Sequence, residues 1–114
     1  MTNKELINLA QSLDCRKDYE SFFEFAKNYL MNPNIAQNEK SSSMFASIKF
    51  FLNNPQSDTT ASVLGKRGRH FEASIRDWCR MMLNDKDLRN LSADDLHYVM
   101  GYCARLAKIQ NANI

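Results

Sequence analysis

Gly65-Lys66-Arg67-Gly68-Arg69-His70 is the stretch whose residue types and spacing are best suited to chemistry. Glycines let a main chain come close to a ligand, while Lys and Arg pair with phosphate oxygens and release counterions from a nucleic-acid strand. Arg76 and Arg80 follow Arg69 at helical spacing and extend the same face, so the basic residues can form one patch. Lys66, Arg67 and Arg69 are the candidate phosphate grips, and Arg76 and Arg80 continue the track. His70 contacts phosphate, stacks on a base, or is a plain surface histidine. Charge points the same way. From Val63 to Arg80 five basic residues meet only Glu72 and Asp77, a net +3, against +2 for the whole chain, which leaves the remainder at −1. The two glycines have no packing role that the sequence reveals. The competing account of the segment is a solvated loop whose charges serve solubility.

Other chemistries find no constellation. A phosphate loop of the Walker type needs Gly where Thr60 stands and a hydroxyl residue where Arg67 stands, and no strand precedes it. Cys15, Cys79 and Cys103 are odd in number and widely spaced, which fits neither a disulfide framework nor a zinc site and predicts buried free thiols. His70 and His97 stand apart from the cysteines, so no Cys–His nucleophile pair forms on sequence grounds. Asp94-Asp95 are the one carboxylate pair, and helix capping accounts for them. His97, one turn from Asp94, is expected to hydrogen-bond locally. No catalytic residue, metal ligand or cofactor is assigned, and the chain reads as a non-enzyme.

The elements that must position these residues are helical. With 114 residues, 44% of them hydrophobic and 25% charged, the chain is globular and its whole length, 1–114, makes one domain. Three glycines, two prolines and no cleanly alternating stretch argue for helices over sheet. Thr2 and Glu5 form a capping box for a helix over 2–13 carrying Leu6, Leu9, Ala10 and Leu13. Asp18 is placed to cap a second helix over 19–31, whose Phe22, Phe23, Phe25, Ala26, Tyr29 and Leu30 suit a core better than a base-stacking platform. Asn32-Pro33 ends it.

A third helix is expected at about 36–52, then a turn-rich connection over Gln56–Ser62. A fourth helix either runs through Gly65 and Gly68 or breaks there. Phe71, Ile75, Trp78 and Met82, with Cys79 beside them, mark the inner face of the next helix, and Asn84-Asp85-Lys86 is a turn. Ser92 starts a last helix whose stripe runs from Leu96 through Val99, Met100, Cys103, Leu106 and Ala107 to Gln110. That helix is expected to be the central packing element, with Gly101 allowing close helix approach and Arg105 and Lys108 extending the basic patch if it packs beside Arg76 and Arg80. The fold class is all-α, a single compact bundle of about five helices. No apolar run approaches the ~20 residues of a membrane span, and the N-terminal stretch lacks a secretory apolar region, so a cytoplasmic protein is expected.

The segment Leu88–Ile109, LRNLSADDLHYVMGYCARLAKI, resembles the terminal helix of small helical subunits in prokaryotic CRISPR effector ribonucleoproteins. Size, helical pattern and a basic helical face are similar to that group as well. The resemblance implies a non-catalytic antiviral-defence subunit that stacks along a guide RNA or target strand, with Lys66, Arg67, Arg69, Arg76 and Arg80 as its contacts. The expected partners are therefore nucleic acid, RNA favoured over DNA, and the protein subunits of a larger complex, with no membrane. The alternative is a protein-interaction module, such as a phage- or plasmid-borne regulator or inhibitor, that docks the basic segment on an acidic protein surface.

Overall fold

Thr2 Oγ1 accepts a hydrogen bond from the Glu5 amide at 3.2 Å, and Glu5 Oε1 accepts one from the Thr2 amide at 3.3 Å, so both halves of the capping box are made. They start α1 (Asn3–Ser12), which buries Leu6 and Ala10. In the computed structural model the described residues are 1–55 and 57–112, with side chains described through 109. Gln56 in the turn-rich connection and the Gln110 side chain lie outside them.

A 3-10 turn at Lys17–Tyr19 leads into α2 (Glu20–Leu30). Asp18, expected to cap this helix, sits inside the turn instead, and the cap position falls on Tyr19 without a side-chain bond. The tightened turn carries Tyr19 into the core, where its ring stacks on Trp78 at 5.1 Å and 29°. A second 3-10 turn, Gln37–Glu39, precedes α3 (Lys40–Asn53). Ser57 Oγ accepts from the Thr60 amide at 3.4 Å to open α4 (Asp58–Gly68). Arg69–Phe71 is a third 3-10 turn, followed by α5 (Glu72–Asn84). The turn expected at Asn84–Lys86 is tighter than a simple reversal. Asp85 Oδ1 accepts from the Leu88 amide at 3.0 Å and starts the four-residue α6 (Lys86–Arg89). Ser92 Oγ, accepting from the Asp95 amide at 3.2 Å, then opens α7 (Ala93–Ala112).

α2 and α7 form the principal packed pair. α1 lies on α7, α4 on α2, and α3 on α5. Phe22, Phe23, Phe51, Ile75, Met82, Leu96 and Met100 are wholly enclosed in one core cluster. Each such side chain contributes about 1.5–3 kcal/mol of burial free energy. The dense aromatics of α2 are core, as expected: Phe23 meets Trp78 edge-on at 5.1 Å and 88°. The result is an all-α bundle with five uninterrupted helices of ten or more residues among those described, α1, α2, α3, α5 and α7. The Cα radius of gyration is 13.3 Å. Among the described residues no helix is long and apolar enough to cross a membrane.

Cys15, Cys79 and Cys103 are all buried free thiols. Burial pushes Cys79 up to about 12, which leaves it unreactive as a thiolate.

Candidate nucleic-acid interface

Gly65 explains how the basic segment is presented. Its φ of +59° and ψ of −169° break α4 after Leu64, in a backbone region that only glycine occupies without strain. Val63 and Leu64 are buried before the break, Lys66 and Arg67 are exposed after it, and Gly68 is buried again. Gly68 itself is helical. A Cβ there would lie 3.1 Å from both Ile75 Cδ1 and Ser21 Cβ, so this glycine lets the turn sit down on α2 and α5. Both glycines therefore have structural roles, conformational at Gly65 and steric at Gly68, contrary to the reading from sequence. A pinned turn between two anchored ends holds the cationic residues outward.

Lys66, Arg67, Arg69 and His70 are exposed, and no side-chain hydrogen bond or ion pair among the described residues engages them. They do not form one continuous strip. Arg67 lines a depression of about 320 Å³ beside Glu20 and Glu24 of α2. Arg69 lines a different one, of about 430 Å³, with Asp58 and Glu72. The two depressions share no residue, so the turn presents a fork with carboxylates on both flanks.

Arg76 is taken out of the track. Its side chain is only 13% exposed. Nε donates to Glu72 Oε2 at 3.2 Å, and NH1 donates to the Phe51 and Leu52 carbonyls at 3.4 Å each. The guanidinium carbon lies 4.5 Å from the Phe51 ring centroid. These carbonyls belong to the last turn of α3, where a helix leaves acceptors unpaired and favours a cation. Arg76 is thus the clasp between α3 and α5, and NH2 is buried without a partner. Arg80 stays 57% exposed and pairs with Asp77 at 2.9 Å, a surface contact of small energy.

α7 packs on α1 and α2, which places Arg105 and Lys108 with Lys27 of α2, away from Arg76 and Arg80. Lys108 and Lys27 approach the two oxygens of Glu24 at 2.9 and 3.0 Å. Burial raises the Glu24 carboxyl, but contacts from Lys108 and Lys27 outweigh that effect and hold it below the ordinary range, while Lys108 is raised in return. His97 does not bond Asp94, whose Oδ1 accepts from Gln37 Nε2 at 3.0 Å. His97 Nε2 is instead buried without a partner, a condition that costs about 1–3 kcal/mol. Lys27 and His97 carried no signal in the sequence, since their meeting depends on how α2 lies against α7.

Among the described residues no three His, Cys, Asp or Glu side chains lie together as a metal could require. Comparison with protein-family models, curated proteins and solved structures gives no match.

Proposed function

We propose that this chain is a non-enzymatic protein that binds nucleic-acid backbone, RNA in preference to DNA, through Lys66, Arg67, Arg69 and His70. The observation that carries the reading is the exposed turn itself. Four adjacent basic or imidazole side chains stand outward, without internal partners among the described residues, on a backbone that Gly65 and Gly68 hold in place. Lys and Arg without internal ion pairs keep their full capacity for phosphate, and each phosphate they neutralise releases counterions. The forked placement of Arg67 and Arg69 favours a single strand, which can bend between them, over a straight duplex. Arg80 is a secondary contact that must first leave Asp77. Membership of a prokaryotic, CRISPR-like ribonucleoprotein in the cytoplasm is part of the same proposal and rests on the Leu88–Ile109 resemblance.

Three cations on a single strand predict a salt slope of about −2, so raising salt from about 50 to 200 mM should weaken binding roughly twentyfold. Fluorescence anisotropy with a labelled single-stranded RNA and a duplex DNA measures this. Lys66→Ala/Arg67→Ala/Arg69→Ala should abolish binding and leave the helical circular dichroism intact. A triple variant that binds RNA as tightly as the parent would sink the proposal.

A further inference from the structure

A groove of about 330 Å³ runs along the seam where α2 and α7 meet solvent. Gly101 lies in it, and a methyl group built at Gly101 would meet nothing nearer than Lys27 Cδ at 4.0 Å. The glycine is therefore not required for close helix approach, and its missing side chain leaves open space. Lys27 stands on the α2 side, with His97, Tyr98, Arg105 and Lys108 on the α7 side. Among the described residues no carboxylate lines the groove. Glu24, at its edge, pairs with both Lys27 and Lys108, Glu20 also acts on Lys108, and Arg105 is exposed with no side-chain partner among the described residues.

Three cations against Glu24 and Glu20 leave a net +1 here even with a neutral imidazole. His97 lines the groove too, and its Nε2, beneath the groove's surface, is buried without a partner. In the tautomer that carries its proton on Nε2, that atom is a donor lacking an acceptor. Cationic donors converging on one groove are complementary to a compact group with several anionic oxygens. A long strand fits less well. Between this groove and Arg67 lies the α2 face bearing Glu20 and Glu24, and a continuous backbone crossing it would meet both carboxylates.

We infer that the α2–α7 groove is a binding site for a compact dianionic phosphate group, held by Lys27, Arg105 and Lys108 beside His97. The site shares no residue with the Lys66–His70 turn and rests on separate observations, so either can fail alone. Glu24 acts as a built-in competitor, because an incoming phosphate takes over the two ammonium groups it now holds. The shared chemistry is a dianionic phosphate, supplied either as the free ion or as the 5′ end of a strand.

The test is titration of the ¹⁵N-labelled chain with inorganic phosphate and with trinucleotides bearing a 5′-phosphate or a 5′-hydroxyl. Amide shifts should centre on His97, Gly101 and Arg105. Glu24→Gln should tighten phosphate binding about fivefold, and Arg105→Glu should weaken it about tenfold or more. Gly101→Ala, which favours the helix, serves as a folded variant with a smaller groove and should also bind more weakly. Equal binding of inorganic phosphate and the 5′-phosphorylated trinucleotide identifies the free ion. A preference for the phosphorylated trinucleotide over both other probes identifies a strand end. The Lys66→Ala/Arg67→Ala/Arg69→Ala variant should keep the groove shifts even if it loses RNA. The inference is overturned if Arg105→Glu binds phosphate like the parent, if Glu24→Gln gives no gain, or if the shifts lie elsewhere.

Discussion

Replacing Arg76 with alanine separates a structural arginine from a binding one. The side chain makes two hydrogen bonds to the α3 carbonyls at 3.4 Å, a Glu72 contact at 3.2 Å and a stack at 4.5 Å on Phe51. The carbonyl bonds are long, so about 0.5–1 kcal/mol each is a fair value, below the usual range for charged donors. The stack adds about 0.5–1 kcal/mol, and the Glu72 pair, one helical turn away, about 0.3–0.5 kcal/mol. Together Arg76→Ala should cost about 2–3.5 kcal/mol. Unfolding entropy of about 2.1 cal/mol/K per residue converts that to a fall in Tm of roughly 8–15 °C for a chain of this length. Thermal and urea denaturation followed by circular dichroism measure the loss. RNA affinity of the folded variant, measured well below its Tm, should stay within about twofold of the parent, under ~0.4 kcal/mol. Arg76→Lys should recover only part of the stability, because an ammonium cannot reach two carbonyls and Glu72 in the planar geometry of a guanidinium. A variant with unchanged Tm and sharply weaker RNA binding would refute the clasp and return Arg76 to the binding track.

Three further outcomes follow from the geometry. Gly65→Ala should destabilise by about 1–3 kcal/mol through backbone strain alone, since nothing lies within 4 Å of the new methyl, and denaturation measures it. Gly68→Ala gains helix propensity of about 1 kcal/mol but drives its methyl to 3.1 Å from Ser21 Cβ, which is fixed to α2; the expected net effect is a loss, read as a lower urea midpoint. Glu24 has a folded pKa below its unfolded value, so its contribution is present above the unfolded value of about 4.3 and disappears as pH falls through the folded one. Glu24→Gln should accordingly flatten the acid limb of the stability–pH curve, and a limb identical to the parent's would show that the two lysines do not stabilise the carboxylate.

Helix starts were legible because their signals are local. Thr2 with Glu5, and Ser92 with Asp95, bond within three residues, so spacing alone is sufficient to find them. The same holds for the aromatic face of α2, where Phe22, Phe23, Ala26 and Leu30 recur at helical spacing and are buried. The role of Arg76 was not legible, because it depends on carbonyls 24 and 25 residues earlier. On a helical wheel Arg76 stands beside Arg69 and Arg80, and nothing in that projection shows that the end of α3 abuts it. Gly68 misled for a related reason, since its close neighbour Ser21 belongs to α2. Lys27 and Lys108 meet only through Glu24, and an orphaned His97 nitrogen is a property of the packed seam that no spacing encodes.

The pairing of α2 with α7 also governs how the protein is made. A ribosome finishes α2 at Leu30 but does not begin α7 until Ala93. At about 5–20 residues per second the intervening stretch takes on the order of 3–13 s, during which α2 lacks its principal packing partner. α1 is in the same position, since α7 is its principal partner. A nascent chain stalled before Ala93 would present an apolar face suited to ribosome-associated chaperones and to aggregation. Arrest peptides placed at successive lengths should therefore register the folding force late, once α7 has cleared the exit tunnel.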